Sequence, residues 1–163
     1  SCLSMDEPTE LRQIRSLIGE SFDGEDTDAD SLARTVVPTR TFLEKLFLLA
    51  EEFQKEKPRS VRMSRHLYDL AKLMDTEYGV EALSNRTLYD AIVEHRKAYY
   101  ALKYVNYDLH APSTINFTIP ESVIGAWQDD YTDMKRFFIY GESLEFEALM
   151  QKMKELQERV KIL

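Results

Sequence analysis

The sequence is poor in the residues that staple, pinch or anchor a chain. Its 163 residues include one cysteine, Cys2, five glycines and three histidines. A single cysteine excludes a disulfide framework and any zinc site built on several thiolates, and it suits a reducing compartment. No two histidines stand at metal-ligand spacing, and there is neither a Gly-rich phosphate loop nor a G-x-S-x-G turn. No apolar run approaches the roughly 20 residues of a membrane-spanning helix. The N-terminus lacks the basic-then-apolar order of a signal peptide. A cytoplasmic chain with no membrane role is the expectation. It opens Ser-Cys-Leu-Ser with no initiating Met, which reads as a start inside a longer native protein or as a start left by a removed tag.

What is present describes a globular protein: 44% hydrophobic residues for a core and 31% charged residues for the outside. The net charge of −8 disfavours diffuse binding to nucleic acid, which needs an excess of Lys and Arg. The charge is unevenly spread. Residues 20–30 hold six carboxylates and no base, whereas Lys55, Lys57, Arg59, Arg62 and Arg65 face only Glu56 across 55–65. A local basic strip therefore survives in an acidic chain.

Apolar spacing predicts a mostly α fold, a bundle of about six helices with at most one or two short strands, near 33–37 and 114–119. Asp6-Glu7-Pro8 signals a first helix through Leu11, Ile14, Leu17 and Ile18, ended by Gly19. The acidic loop and an extended Arg34-Thr-Val-Val37 follow. Thr41 with Glu44 fits a capping box for a helix whose wide apolar face runs from Phe42 to Phe53. Ser64 is placed to cap the next helix, Gly79 to break it, and Ser84 or Asn85 to cap a fourth that includes Tyr99. Pro120-Glu121 opens a helix through Trp127 and Tyr131 that Gly141 ends, and Ser143 caps the last. The division is 1–37, an N-terminal helix, loop and strand, and 38–163, a helical domain.

Two segments carry chemistry. In the first, Lys45 sits among Phe42, Leu46, Leu48 and Leu49, where a lysine held beside apolar surface can present a fixed charge to phosphate or snorkel to water. In the second, Arg65, His66, Asp69 and Lys72 share one face of a helix whose other face is apolar. That face is either a solvated row of i,i+4 pairs or a carboxylate oriented by Arg65 to act as a base. Asp26-x-Asp28-x-Asp30 opens like a calcium loop, but Ser31 and Val37 occupy positions that require Gly and Glu. His95 is expected at the surface and His110 in a loop. Tyr99, Tyr100, Tyr104 and Tyr107 are expected in core and interface packing rather than as stacking surfaces for bases.

Taken together, P-x-R-T-F-L-E-K-L-x-x-L at 38–49 and S-R-H-x-Y-D-L at 64–70 resemble the nucleotidyltransferases of the AbiEii/AbiGii abortive-infection toxins, within the DNA polymerase β-like superfamily. Asp129-Asp-Tyr131-x-x-Met134 and Tyr140-Gly141 extend the resemblance, which runs from about residue 32 to the end. It implies a bacterial enzyme that transfers a nucleoside monophosphate from an NTP with Mg²⁺, releasing pyrophosphate, to an acceptor such as tRNA or protein. It implies a cognate antitoxin as partner. Lys45 matches the family's triphosphate-contacting lysine and Asp69 its proposed catalytic aspartate. Arg65 matches the arginine of that motif, and Arg62 and His66 join it as expected substrate-binding residues. The family's Gly-Ser turn and Asp-x-Asp metal pair belong on strands upstream. Gly19-Glu-Ser21 and Asp26-x-Asp28 carry the letters without the strand pattern, so no metal ligand is assigned. The resemblance thus implies the C-terminal part of an enzyme whose nucleotidyltransferase core lies elsewhere, inactive or nearly so by itself. A non-catalytic helical interaction module and an RNA-binding adaptor are the other readings.

Overall fold

The computed structural model describes residues 8–22 and 30–163; Cys2, the Asp6-Glu7 helix signal, Asp26 and Asp28 lie outside them. In chain order the elements are β1 (Thr9–Arg15), α1 (Leu17–Ser21), β2 (Asp30–Val36), α2 (Pro38–Glu52), α3 (Ser64–Leu73), α4 (Glu77–Ala82), α5 (Arg86–His95), α6 (Ile124–Phe137) and α7 (Phe146–Lys161). A π-helical turn, Arg96–Tyr100, continues α5. The chain is mostly α, with seven α-helices and one two-stranded sheet among the described residues.

Helix α2 is central because its wide apolar face is wholly buried. Phe42, Leu43, Leu46, Phe47 and Leu49 have no solvent exposure. They pack against α3, α4 and α5, and α3 in turn packs on α6 and α7, bringing in Leu67, Leu70, Trp127, Tyr131, Leu149 and Leu156. Pro38 opens α2 at its first turn, where a missing N–H costs nothing. The capping-box expectation is therefore corrected: Thr41 lies inside the helix, and Glu44 bonds to Arg40 and Arg96 instead.

The first helix expected from Leu11 to Ile18 is largely a strand. β1 pairs antiparallel with β2, Thr9 opposite Val36 and Arg15 opposite Asp30. Helical spacing misleads here because the segment has no core face to bury, Leu11 and Ile14 being exposed, and the ladder with β2 satisfies its backbone. Gly19 is a buried residue within α1 rather than a terminator. The strand expected near 33–37 is β2.

The segment 114–119 has no strand partner among the described residues. Its alternation is real, since Ile115, Phe117 and Ile119 are buried, but the backbone is met by one side chain. Buried Gln157 of α7 accepts from Phe117 N–H at 3.2 Å and donates to Ile115 C=O at 2.6 Å. A primary amide offers the same donor and acceptor pair as a neighbouring strand.

Other boundaries shift for similar reasons. Ser64 is the first residue of α3, not its cap. Gly79 lies within α4, its Cα hydrogens against the end of α3. Asn85 caps α5 through Leu88 N–H. α7 starts at Phe146, beyond Ser143, and α6 ends at Phe137, before Gly141. His95 is buried and stacked on Tyr99 at 4.8 Å, not solvated, and His110 is fully buried in a 3-10 turn. Tyr99, Tyr100 and Tyr104 turn outward rather than into the core.

Candidate functional site

Lys45 projects from the third turn of α2 towards α3. Its Nζ lies 2.7 Å from Asp69 Oδ2, with both side chains partly exposed. The two sequence segments thus converge on one ion pair across the α2–α3 contact. The pairing follows from the helices: Leu46 and Leu49 of α2 and Leu67 and Leu70 of α3 turn inward, which leaves Lys45 and Asp69 beside each other at the edge of the shared core.

Lys45 lines a cleft of about 460 Å³ together with Arg40, Glu44, His66, Arg96 and Tyr100, a size that suits small-molecule ligands. His66 is buried. Burial, reinforced by the charges of Lys45 and Arg65, pushes its imidazole down to about 4, so at neutral pH it faces the cleft uncharged. Its Nδ1 has no hydrogen-bond partner among the described residues.

One wall of the cleft is a chain of linked charge, buried at Arg40, Arg96 and Glu51. Arg40 bonds Glu44 at 2.9 Å, Glu44 bonds Arg96, and Arg96 Nη2 reaches Glu51 at 2.5 Å. His110 Nε2 stands 3.7 Å from Glu51, too long for a hydrogen bond. Desolvation alone would raise the Glu51 carboxyl; the Arg96 guanidinium outweighs it and holds the group below the usual carboxylate range. Arg96, for its part, would be lowered by burial and is raised by Glu51. The π-helical turn that begins at Arg96 closes on Ala101 with φ +44°; it carries the guanidinium inward while Tyr99 and Tyr100 face out. Arg40 and Glu44 lie within the segment that named Lys45, but the sequence presents Glu44 only as a capping residue. Tyr100 reads there only as a packing or stacking aromatic, and Arg96 does not stand out.

Arg62 and Arg65 occupy a different cleft. They line about 370 Å³ between α3 and α6, with Ser64, Asp130, Phe137 and Phe138. Asp130 organises its floor: the carboxylate accepts from Arg62 N–H at 2.5 Å, Ser64 N–H at 2.9 Å and Ser64 Oγ at 2.5 Å. A residue of α6 thereby supplies the cap that the sequence assigned to Ser64. The expected substrate-binding set is divided, His66 with Lys45 on one side, Arg62 and Arg65 on the other.

Among the described residues no three His, Cys, Asp or Glu side chains gather as metal ligands. The described donor set does not fit a Mg²⁺ site. No described helix is long and apolar enough to cross a membrane.

No curated protein and no solved structure matches the chain. The family model described as nucleotidyl transferase AbiEii toxin, type IV TA system, matches residues 3–152. That span takes in both helical segments, the Lys45–Asp69 pair and the α6 carboxylate that caps α3, so the chain belongs to the AbiEii nucleotidyl transferase toxin family of type IV toxin–antitoxin systems.

Proposed function

We propose that this chain is the C-terminal helical part of an AbiEii-like nucleotidyltransferase, which transfers a nucleoside monophosphate from an NTP to an acceptor such as tRNA or protein in a bacterial cytoplasm. The observation that carries the reading is the 2.7 Å Lys45–Asp69 pair at the mouth of a ligand-sized cleft. Without substrate, each charge neutralises the other. A triphosphate entering the cleft competes for the lysine, since phosphate oxygens are strong acceptors for an ammonium. Release of Lys45 frees the Asp69 carboxylate to accept a proton from the attacking hydroxyl. Neutral His66 adds a polar wall without a competing positive charge. The Mg²⁺ and its carboxylates belong, on this reading, to the family's nucleotidyltransferase core, and a cognate antitoxin is the expected partner.

Calorimetric titration of the chain with an NTP tests the donor side. Lys45→Ala should weaken binding about tenfold or more, because a hydrogen bond to a charged group is worth about 1.5–3 kcal/mol. It should leave stability within about 1 kcal/mol, the usual worth of a partly exposed pair. Asp69→Asn should bind NTP at least as well as the natural sequence, having released Lys45, yet lose label transfer to tRNA in the native protein. Unchanged NTP affinity in Lys45→Ala would sink the reading.

A further inference from the structure

The second cleft has features that neither folding nor the Lys45 site uses. Arg62 and Arg65 form no ion pair with any described carboxylate, and the Arg62 guanidinium stands 5.9 Å over the ring of Phe138. Phe137 and Phe138 are 58% and 64% exposed, at the end of a helix whose other aromatics, Trp127 and Tyr131, are fully buried. Of the two carboxylates in the lining, Asp130 is consumed by the 62–64 backbone, and Asp133 alone opposes the two guanidinium groups. Arg62 adopts φ +59°, a left-handed conformation that a non-glycine residue holds only when its surroundings enforce it. Here Asp130 enforces it and aims the residue at the cleft.

Two guanidinium forks with no ion pair among the described residues, beside the exposed ring of Phe138, are complementary to an anion carried on a flat body; the Phe137 ring is already covered by Arg136 at 5.0 Å. We propose that this cleft binds the unpaired end of a single-stranded polynucleotide, one base stacking on Phe138 and the adjoining phosphate clamped by Arg62 and Arg65. The assignment of this strand as the acceptor rests on the transferase reading above; the binding itself does not. Arg65 and Asp69 are four residues apart on α3, one helical turn. A strand end seated on Arg65 therefore delivers its terminal hydroxyl towards Asp69, while the NTP occupies the Lys45 cleft on the other side of α3. An apolar helical peptide, the other ligand that a groove between helices suits, would leave both guanidinium groups unused.

The test is fluorescence anisotropy of the full chain at low salt with a labelled, unstructured RNA oligonucleotide, its duplex, and two variants. Phe138→Ser removes the stacking face. Arg62→Gly removes the guanidinium at a φ that glycine adopts freely, so the loop keeps its shape. Each variant should lower single-strand affinity roughly tenfold, and the duplex should bind less well than the single strand. NTP titration of the same samples reads the other cleft. NTP binding that is insensitive to Lys45→Ala, with oligonucleotide binding still lost in Phe138→Ser, would support this site while removing the transferase reading. No single-strand binding by the natural sequence, equal affinity in both variants, or equally potent displacement by an apolar peptide with a free carboxylate would each overturn it.

Discussion

At the residue scale the burial of charge decides most of what can be measured. His66 is held down to about 4, first by burial and then by Lys45 and Arg65, with Asp69 opposing and Arg59 adding to the fall. Its folded value lies below the ordinary 6.5 of an exposed histidine, so between about pH 4 and 6.5 the unfolded chain takes up a proton that the folded chain refuses. Stability must rise with pH across that window and fall as the solution is acidified. Thermal melts between pH 6.5 and 5, above the carboxylate range, should show a steeper loss for the natural sequence than for His66→Asn; parallel curves would mean the imidazole is not held neutral. The Arg96–Glu51 pair is a second case. Arg96→Met leaves Glu51 buried beside His110 without its cation, and should cost about 3–5 kcal/mol in urea unfolding. Adding Glu51→Met should recover much of that loss, because a buried pair carries its own desolvation penalty.

At the scale of elements, joints matter more than propensities. Helix α4 folds back on the end of α3 so closely that a Cβ at Gly79 would stand 2.2 Å from the Leu73 carbonyl oxygen and 2.7 Å from Met74 Cα. Both are backbone atoms of a packed helix end and cannot step aside. Gly79→Ala should destabilise by about 1–3 kcal/mol or somewhat more, although alanine is the better helix former. A stabilised variant in chemical denaturation would show that α3 and α4 do not meet as described. The same logic relocates caps. Asp130, from α6, stands where a local Ser64 cap was expected, and Gln157, from α7, stands where 114–119 was expected to find a strand. In each case a distant side chain satisfied the local backbone, and residue spacing along the chain carries no trace of that.

At the scale of the whole molecule the two parts differ in how they are held. The helical body buries a continuous core around α2. The β1–β2 ribbon packs chiefly on itself, joined to the body by Arg12 to Tyr78 at 2.7 Å. By register, Leu11, Leu32 and Val36 share one face of the ribbon, and Leu11 and Leu32 are 66% and 72% exposed. A lone two-stranded ribbon is marginal in water. Amide hydrogen exchange should therefore run orders of magnitude faster in 9–15 and 30–36 than in α2 and α3, whose opening requires the core to come apart. Equal protection in the two regions would mean that the open face is covered in solution.

The sequence by itself determined the class of fold and the helices with a full apolar face, because hydrophobic period is a property of the chain alone; Lys45 and Asp69 emerge as site residues only through the resemblance to the toxin family, and their 2.7 Å contact is a product of the tertiary structure. The sequence also separated the basic strip from the acidic stretch. It did not determine β1, since Leu11 and Ile14 fit a helical period that no core rewarded. It could not divide Arg62 and Arg65 from His66, because they are close neighbours in sequence, Arg62 in the turn before α3 and the other two on its first turn, and only the packing of α2 on one side and α6 on the other turns them into two clefts. Nor could it set Arg96 behind Lys45, or turn Tyr99 and Tyr100 outward: those follow from a π-helical turn and from a carboxylate, Glu51, placed opposite by the tertiary fold. Local physics chose the helices, and long-range contact chose which polar atoms meet.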